Sequence, residues 1–547
     1  MERGGPCCAE NRGLSAVFFV SGKFGILEER MLLPEYTEFR DLARRYKRVV
    51  VYRELAGDML TPVLLLQRFA LHRHLFLLES ANLDRSFSRF TFFGINPEQV
   101  LTVRNDQFQV ENSDGSVMDL DENPIDFLTG ALSGEDSYSH PELGSFSGGY
   151  VGFMGYDMVN FMDVLRKPIR QESESLSMAY LKVNEFYVFD NHLKKLYAAV
   201  SVQTNAIPTT SGSDNGAIPT TPGLRPAASG RTLEELYAGT RDRTLEMANE
   251  IMMSSGKPAY SGTMQGQMVD FRQDEFMEAV TGLRGEIERG ECIQTVLSNR
   301  YEVQGEINSI NLYRTIRNIN PSPYMFYLKF GDEVLLGTSP EIHLKITEGE
   351  AVLKPIAGTY RTNGKGIEKV KEELLSDSKE VAEHLMLLDL ARNDLYTGCD
   401  PESVRVTESF KAEVYSHVVH IVSEVRGNLM ESVPPLKLFC NTFPAGTVSG
   451  APKVRAMELI DQYEKTPRGF YAGCAGYFSY SGDIDTCIII RSALARPGSV
   501  ILRAGAGIVY DSVPEKEYRE VENKLGALFD ALKQIPLLES RNVFNDR

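Results

Sequence analysis

The sequence predicts a mixed α/β or α+β body built on extended sheets. Three observations lead there: short apolar runs recur as strands along most of the chain, charged segments of helical period lie between and after them, and the apolar content suffices for a large core. Of 547 residues 42% are hydrophobic and 24% charged, which excludes collagen-like, mucin-like and wholly disordered classes. The length allows about 2 to 4 ordinary domains.

In chain order, 48–52, 75–78 and 178–188 are short apolar runs that read as strands, and 62–71 carries apolar residues at helical spacing. Composition breaks at 203–230, where Pro, Gly, Ser and Thr dominate and AIPTT occurs twice. That stretch reads as a flexible linker or insertion bearing a local duplication, too polar for a solenoid. The expected division is 1–30, a poorly ordered extension; 31–202, an N-terminal domain; 203–230, the linker; and 231–547, a C-terminal domain. Beyond the linker, 232–254 and 273–289 are amphipathic helices, and 293–303, 324–328, 333–337, 342–346 and 487–494 read as strands. The last element, 514–533, is a helix with Ser512 as its expected N-cap and Pro514 in its first turn.

The net charge of −17 and the lack of a Lys/Arg run argue against nucleic-acid binding. No apolar stretch approaches the roughly 20 residues of a spanning helix, so no membrane insertion is expected. The first thirty residues lack the net positive charge of a signal or transit peptide, and Met31 is a second candidate start. Seven Cys without a CxxC pair read as reduced thiols. The expected location is cytoplasmic.

Glu380, Glu383, His384 and Leu387 repeat at i, i+3, i+4, i+7, which places them on one face of a helix; Glu517, Glu520 and Lys524 do the same near the C-terminus. Two helices each offering ExxE can converge on a hard divalent cation such as Mg²⁺; either alone reads as solvated helix surface. In RAGAGIVYDS the small residues Gly505, Ala506 and Gly507 leave backbone N–H groups open to a carboxylate or phosphate, or simply form a tight turn. The same two readings hold for FPAGTVSGAPK and KPIAGTYR, and neither matches a dinucleotide or P-loop fingerprint. Arg491 suits bidentate carboxylate binding or an exposed strand end. His417 and His420 sit among apolar residues, on opposite faces of a strand, outside any HExxH or nucleophile-elbow pattern. Residue chemistry alone therefore reaches a metal-assisted site for a small carboxylated molecule.

The stretches PIAGTYR, EVAEHLMLLDLARNDL, YSHVVHIVSEVRG, FPAGTVSGAPKVRAMELI, RGFYAGCAGYFSYSGDIDTCIIIRSAL and AGAGIVYDSVPEKEY closely resemble, in the same order, the large-subunit family of anthranilate synthases, chorismate-utilising enzymes. The resemblance covers about 31–533 apart from the linker. It implies the chorismate-utilising fold, with large, mostly antiparallel sheets packed as a sandwich and helices outside. The implied activity is that of a carbon–oxygen lyase: Mg²⁺-dependent conversion of chorismate and ammonia to anthranilate and pyruvate, the first committed step of tryptophan biosynthesis. A glutamine amidotransferase subunit would supply the ammonia within a heterotetramer, and tryptophan would inhibit.

Carried over by motif, Glu383 and Glu520 are the implied Mg²⁺ ligands, supported by Glu380 and Glu517. Gly358, Thr359, Thr447, Tyr471, Arg491, Gly505, Ala506, Gly507 and Lys524 are implied substrate contacts, Arg491 toward the pyruvyl carboxylate. Glu341 is the implied general acid for loss of the ring hydroxyl, and His420 the acid/base for expulsion of pyruvate. Glu79 and Ser80, with Pro323, Tyr324 and Met325, are the implied walls of a tryptophan pocket in the N-terminal regulatory domain.

This sequence departs from the family pattern at Tyr360 (usually Arg), Arg503 (usually Gln) and Val521 (usually Thr). Aminodeoxychorismate synthases carry a nucleophilic lysine where this chain has Ala357, and water-using isochorismate and salicylate synthases a lysine base where it has Gln294. Both positions favour ammonia as nucleophile. A non-catalytic tryptophan-binding protein is disfavoured because the carboxylates, His420 and Arg491 are all present.

Overall fold

The computed structural model describes residues 32–55, 57, 60–81, 89–204, 232–253, 262, 264, 266–361, 366–415 and 418–543. The expected extension, the second candidate start, His417 and nearly all of the linker lie outside these residues. Among the described residues the strands form two sheets, of 14 and 12 strands.

The larger sheet runs Leu32–Leu33, Arg48–Leu55, Lys195–Gln203, Glu185–Asp190, Phe90–Ile95, His74–Glu79, Tyr324–Phe330, Glu333–Ser339, Ser492–Arg496, Ser499–Ile508, Gln294–Gln304, Gly266–Val269. Its central antiparallel pair, His74–Glu79 with Tyr324–Phe330, joins residues from either side of the linker, and the path reads alike outward from that pair. The smaller sheet repeats the scheme around Gly149–Met154 paired with Cys474–Ser479. The topology is thus an internal two-fold duplication, and both sheets are continuous across it.

Strand alternation sets the layers. Phe76 faces the core between the sheets, whereas Leu75 and Leu77 face outward, as a period of two requires. The inner core draws Phe92, Phe186 and Phe326 from one sheet and Val151, Tyr180 and Phe478 from the other, so the sheets pack as the expected sandwich. Outside the larger sheet lie the helices Leu233–Met253, Gln273–Glu288, Ser309–Ile319 and Pro514–Val543. The last buries Val521, Leu525, Leu528, Leu532 and Ile535, each contributing roughly 1.5–3 kcal/mol relative to exposure.

Three elements differ from the sequence reading. The run 178–188 is two strands, Met178–Val183 in the smaller sheet and Glu185–Asp190 in the larger. The crossing falls at Asn184 and Glu185, a half-buried polar pair within an otherwise buried run, too short an interval to separate two strands in the sequence. The run 487–494 breaks likewise between Ile484–Ile488 and Ser492–Arg496, with Arg491 in the left-handed region at φ 53°. The final helix extends to Val543 and starts at Pro514, directly after Val513. Ser512 is not its cap, because its hydroxyl accepts from the Val509 amide at 3.0 Å.

Among the described residues no helix is long and apolar enough to cross a membrane.

Candidate active site

The C-terminal half departs from the duplication by an excursion from Ile356–Arg361 through two helices to the strands Arg405–Tyr415 and Val418–Asn428. With the final helix and Ser499–Ile508, this excursion encloses a cavity of about 210 Å³. Helix Ser378–Tyr396 is capped by Asp377, whose carboxylate accepts from the Lys379 and Glu380 amides at 3.0 and 3.4 Å. Tyr360 donates to that cap at 2.7 Å, so this departure from the family pattern secures the carboxylate-bearing helix. Val521 faces the core, away from the cavity.

Glu341, Gly358, Glu383, His420, Thr447, Tyr471, Arg491, Gly505, Gly507, Glu520 and Lys524 all line the cavity, beside Gln294 and Ala357. Two expected contacts are placed otherwise. Ala506 turns its methyl into the core on the opposite face of its strand, because it alternates with Gly505 and Gly507, and the Thr359 side chain lies outside the described residues. His384 leaves the face it was grouped with: it is fully buried, its Nε2 lies 2.6 Å from Ser423 Oγ, and burial pushes its pKa down to about 4.

Glu341 is 8% exposed, and burial pushes its carboxyl up to about 7, opposed by the Thr447 hydroxyl and the Lys524 ammonium. A carboxyl there is half protonated at neutral pH, as a general acid requires. His420 Nδ1 lies 2.7 Å from the Gly358 carbonyl oxygen. A carbonyl only accepts, so Nδ1 carries the proton and Nε2 the lone pair. Burial lowers the pKa of this histidine, keeping it neutral. Gly358 is held at φ +64°, where a side chain would be strained. At Gly505 a Cβ would stand 2.9 Å from Leu297 O and 3.0 Å from Tyr471 Oη, so glycine lets the tyrosine sit against the backbone. Lys524 Nζ donates to Gly505 O at 2.8 Å and pairs with Glu520 at 2.7 Å.

Burial, then the neighbouring acids, pushes the Glu380 carboxyl up; burial does the same for Glu383 and Glu517, with Glu520 adding to both. Acids from two helices thus repel across one space, a charge pattern a divalent cation would relieve. Among the described residues no three such groups already converge as a ligand set. Mg²⁺ takes one or two carboxylates and completes its shell with water and substrate oxygens.

The apolar walls Pro340, Ile356, Leu387 and Leu528 were not singled out as site residues, save Leu387 through its helical spacing. Leu528 follows Lys524 by one helical turn, a periodicity that marks it in retrospect.

A second cavity, of about 390 Å³, lies between the sheets and brings together Glu79, Ser80, Pro323, Tyr324 and Met325. They meet because Met325 pairs with Glu79 in the central ladder. The Glu79 carboxylate is turned to Tyr313 Oη at 2.6 Å and Arg317 at 3.0 Å, whereas Ser80 Oγ is buried with no hydrogen-bond partner. Pro340 and Ile356 line both cavities.

The sequence pattern of the chorismate binding enzyme family matches residues 75–530. Anthranilate synthase component 1 from Acetivibrio thermocellus is 34% identical over 515 residues, covering 92% of this chain and 99% of that protein. The crystal structure of anthranilate synthase component I from Streptococcus pneumoniae TIGR4 superposes with a TM-score of 0.66 at 30% identity, covering 82% of this chain and 94% of that one. The menaquinone-specific isochorismate synthase of Escherichia coli, at 18% identity and a TM-score of 0.62 over 91% and 99% of the chains, shares the fold. With duplicated sheets, a carboxylate-lined cavity and such relatives along most of its length, the chain belongs to the chorismate binding enzyme family, among the anthranilate synthases of component 1 type.

Proposed function

We propose that the chain converts chorismate and ammonia to anthranilate and pyruvate with Mg²⁺, taking ammonia from a separate glutaminase subunit in a cytoplasmic heterotetramer, under feedback inhibition by tryptophan. The carrying observation is that a half-protonated buried acid, Glu341, shares one cavity with neutral His420, Arg491 and the acids of two helices, with no lysine at 294 or 357. Arg491 and the backbone around Gly505 and Gly507 meet the substrate's carboxylates. Glu341 donates its proton to the departing ring hydroxyl, which leaves as water while ammonia adds. His420 Nε2 then takes the ring proton as the ring C–O bond breaks, the enolpyruvyl group leaving as the enolate and taking a proton at its methylene carbon to become pyruvate. Glu383 and Glu520, assisted by Glu380 and Glu517, would hold Mg²⁺, which supplies Lewis-acid withdrawal of charge and neutralises a substrate carboxylate.

Among the described residues Cys292, Cys399, Cys440, Cys474 and Cys487 are all buried, and burial pushes the Cys292 and Cys474 thiols up, the reverse of an activated glutaminase nucleophile; Cys7 and Cys8 lie outside the described residues. This supports a separate ammonia source. The second cavity supports tryptophan as ligand: an indole fits its apolar walls, and Ser80 offers a polar group.

The test is steady-state assay of the purified chain with chorismate, Mg²⁺ and either ammonium or glutamine, following anthranilate fluorescence. Anthranilate from ammonium alone is expected. Anthranilate from glutamine would refute the separate subunit, and pyruvate without an aromatic amine would assign water as the nucleophile.

A further inference from the structure

Directly beneath the catalytic cavity lies a buried ionic cluster. The side chains of Glu464, Arg468 and Arg503 are each 1% exposed. The Glu464 carboxylate accepts from Arg468 Nη2 at 2.9 Å, Arg503 Nη2 at 2.8 Å, and the Ser298 amide and hydroxyl at 2.8 and 2.7 Å. Arg468 also donates to the Val448 and Val296 carbonyls at 2.7 and 2.9 Å. Arg503 donates to Ser298 Oγ at 2.8 Å, Thr466 O at 3.1 Å, Thr466 Oγ1 at 3.4 Å and Pro467 O. Its guanidinium is thereby committed to protein acceptors, although Arg503 lines the cavity.

The anchors of this cluster stand next to substrate-facing groups. Val448 follows Thr447, Val296 lines the cavity, and Arg503 precedes Gly505 by two residues on one strand. Segment 464–468 leads into Tyr471, over whose ring Arg468 lies 5.7 Å from the centroid. Four pieces of chain meet here: Gln294–Gln304, Ser499–Ile508, the turn around Gly446–Val448 and the segment after helix Lys453–Tyr463. Apolar packing alone does not set the distances among them. A planar fork of fixed geometry does, because each donor specifies a direction as well as a length.

We propose that Arg503 is a positioning residue for chorismate: clamped on Glu464, it fixes segment 464–471 and the Thr447 turn, and so holds Tyr471 and Thr447 where the substrate needs them. The proposal rests on the reading of this cavity as the chorismate site. Contacts made equally with substrate and transition state act on KM rather than kcat, and small misplacements of such contacts carry large effects. Arg503→Gln is therefore expected to raise the KM for chorismate about tenfold, with kcat within about threefold and the KM for ammonium unchanged. Arg503→Lys keeps the charge but lacks the fork and is expected to recover less than half of that loss.

Kinetics of the full chain with ammonium and Mg²⁺, with thermal unfolding followed by circular dichroism to confirm folding, provide the test. A chorismate KM within twofold of the parent in Arg503→Gln, equal rises in both KM values, or full rescue by lysine would overturn the proposal. If Arg503→Gln does not accumulate folded, Arg503→Lys decides: a raised chorismate KM supports the proposal, an unchanged one ends it. A parent chain that fails to turn over chorismate would instead refute the functional reading.

Discussion

The two cavities share a wall but treat charge in opposite ways. In the larger one the acids are paired within the protein: Glu79 with Arg317, Asp485 with Lys345 at 3.0 Å, and Glu350 with Arg426 at 2.7 Å. Buried Glu341 and half-buried Glu383 line the smaller one, Glu380 and Glu517 stand outside its lining one helical turn from Glu383 and Glu520, and burial pushes all four carboxyls up. A cavity whose charges are settled internally can only recognise. One whose acids are left short of counter-charge stores the means to bind a cation and move a proton, which is where perturbed groups gather. The duplication offers both halves the same sheets, and the excursion 356–428 together with Glu341 and the final helix adds the unsettled charge to one of them.

The most severe break should come from removing that charge. Glu383→Gln roughly keeps volume but removes the anionic ligand, and kcat should fall on the order of 10³-fold or more, since Lewis-acid stabilisation is worth several kcal/mol. Folding, followed by circular dichroism, should persist. Near-normal turnover at limiting Mg²⁺ would remove Glu383 from the cation site.

Glu341→Gln should cost about 10²- to 10⁴-fold in kcat, and it carries a sign that separates an acid from a structural carboxylate. The required form is protonated, and its pKa stands at about 7. Parent kcat should be flat below that value and fall above it, a limb absent from the variant. The stability effect has its own sign. The folded pKa is raised above the ordinary value near 4.5, so the stabilising contribution is complete below about pH 4.5 and is lost as pH rises through about 7. At pH 8 the glutamine variant should be the more stable protein by about 3 kcal/mol, readable in urea unfolding. A variant both less active and less stable at pH 8 would contradict the assignment.

The contrast was only partly legible in the sequence. The ExxE repeats at 380–383 and 517–520 announce carboxylates on helix faces, because helical spacing is local. That His384 leaves its face for Ser423 depends on a strand residue 39 positions away, and the meeting of Glu79 with Met325 on a ladder joining distant parts of the chain. No periodicity reaches across such distances; the family resemblance did, because it carries a whole fold. The crossings at Asn184 and Ile489–Arg491 were missed for a different reason. Alternation reveals a strand only when one face is wet, and these runs are buried on both faces apart from short breaks at Asn184–Glu185 and Ile490–Arg491. The binding of Glu79 by Arg317 was hidden too, since a sequence shows that an acid is present and not that it is already paired.

A milder break should affect the recognising cavity alone. Ser80→Phe replaces a hydroxyl that has no partner among the described residues with a ring that fills the cavity, and it should weaken tryptophan inhibition more than about tenfold while uninhibited turnover with ammonium stays within about twofold. Coupling between sites is reciprocal, so in the parent saturating chorismate should weaken tryptophan binding by the factor by which tryptophan weakens chorismate binding. Equilibrium dialysis measures both arms. Unequal factors, or unchanged inhibition in the variant, would place the inhibitor elsewhere.

The smallest effect tests the wall itself. Tyr324 lines the recognising cavity and donates to Asp485 at 2.8 Å. Asp485 lies on Ile484–Ile488, whose chain continues through Ile490 to Arg491 in the catalytic cavity, and the Ile488 amide donates to the Glu341 carbonyl at 3.0 Å. A ligand that displaces Tyr324 therefore pulls on the strand that positions both Arg491 and Glu341, the proposed carboxylate-binding arginine and general acid. Tyr324→Phe removes that one hydrogen bond and leaves Asp485 paired with Lys345, so the loss should be about 1 kcal/mol, roughly fivefold in the coupling factor. Tryptophan should still bind, by dialysis, with nearly parental affinity, and uninhibited kcat should be unchanged. If affinity and coupling instead fell together, Tyr324 would act as a pocket wall alone, and the connection between the cavities would run through Pro340 and Ile356, the residues that line both.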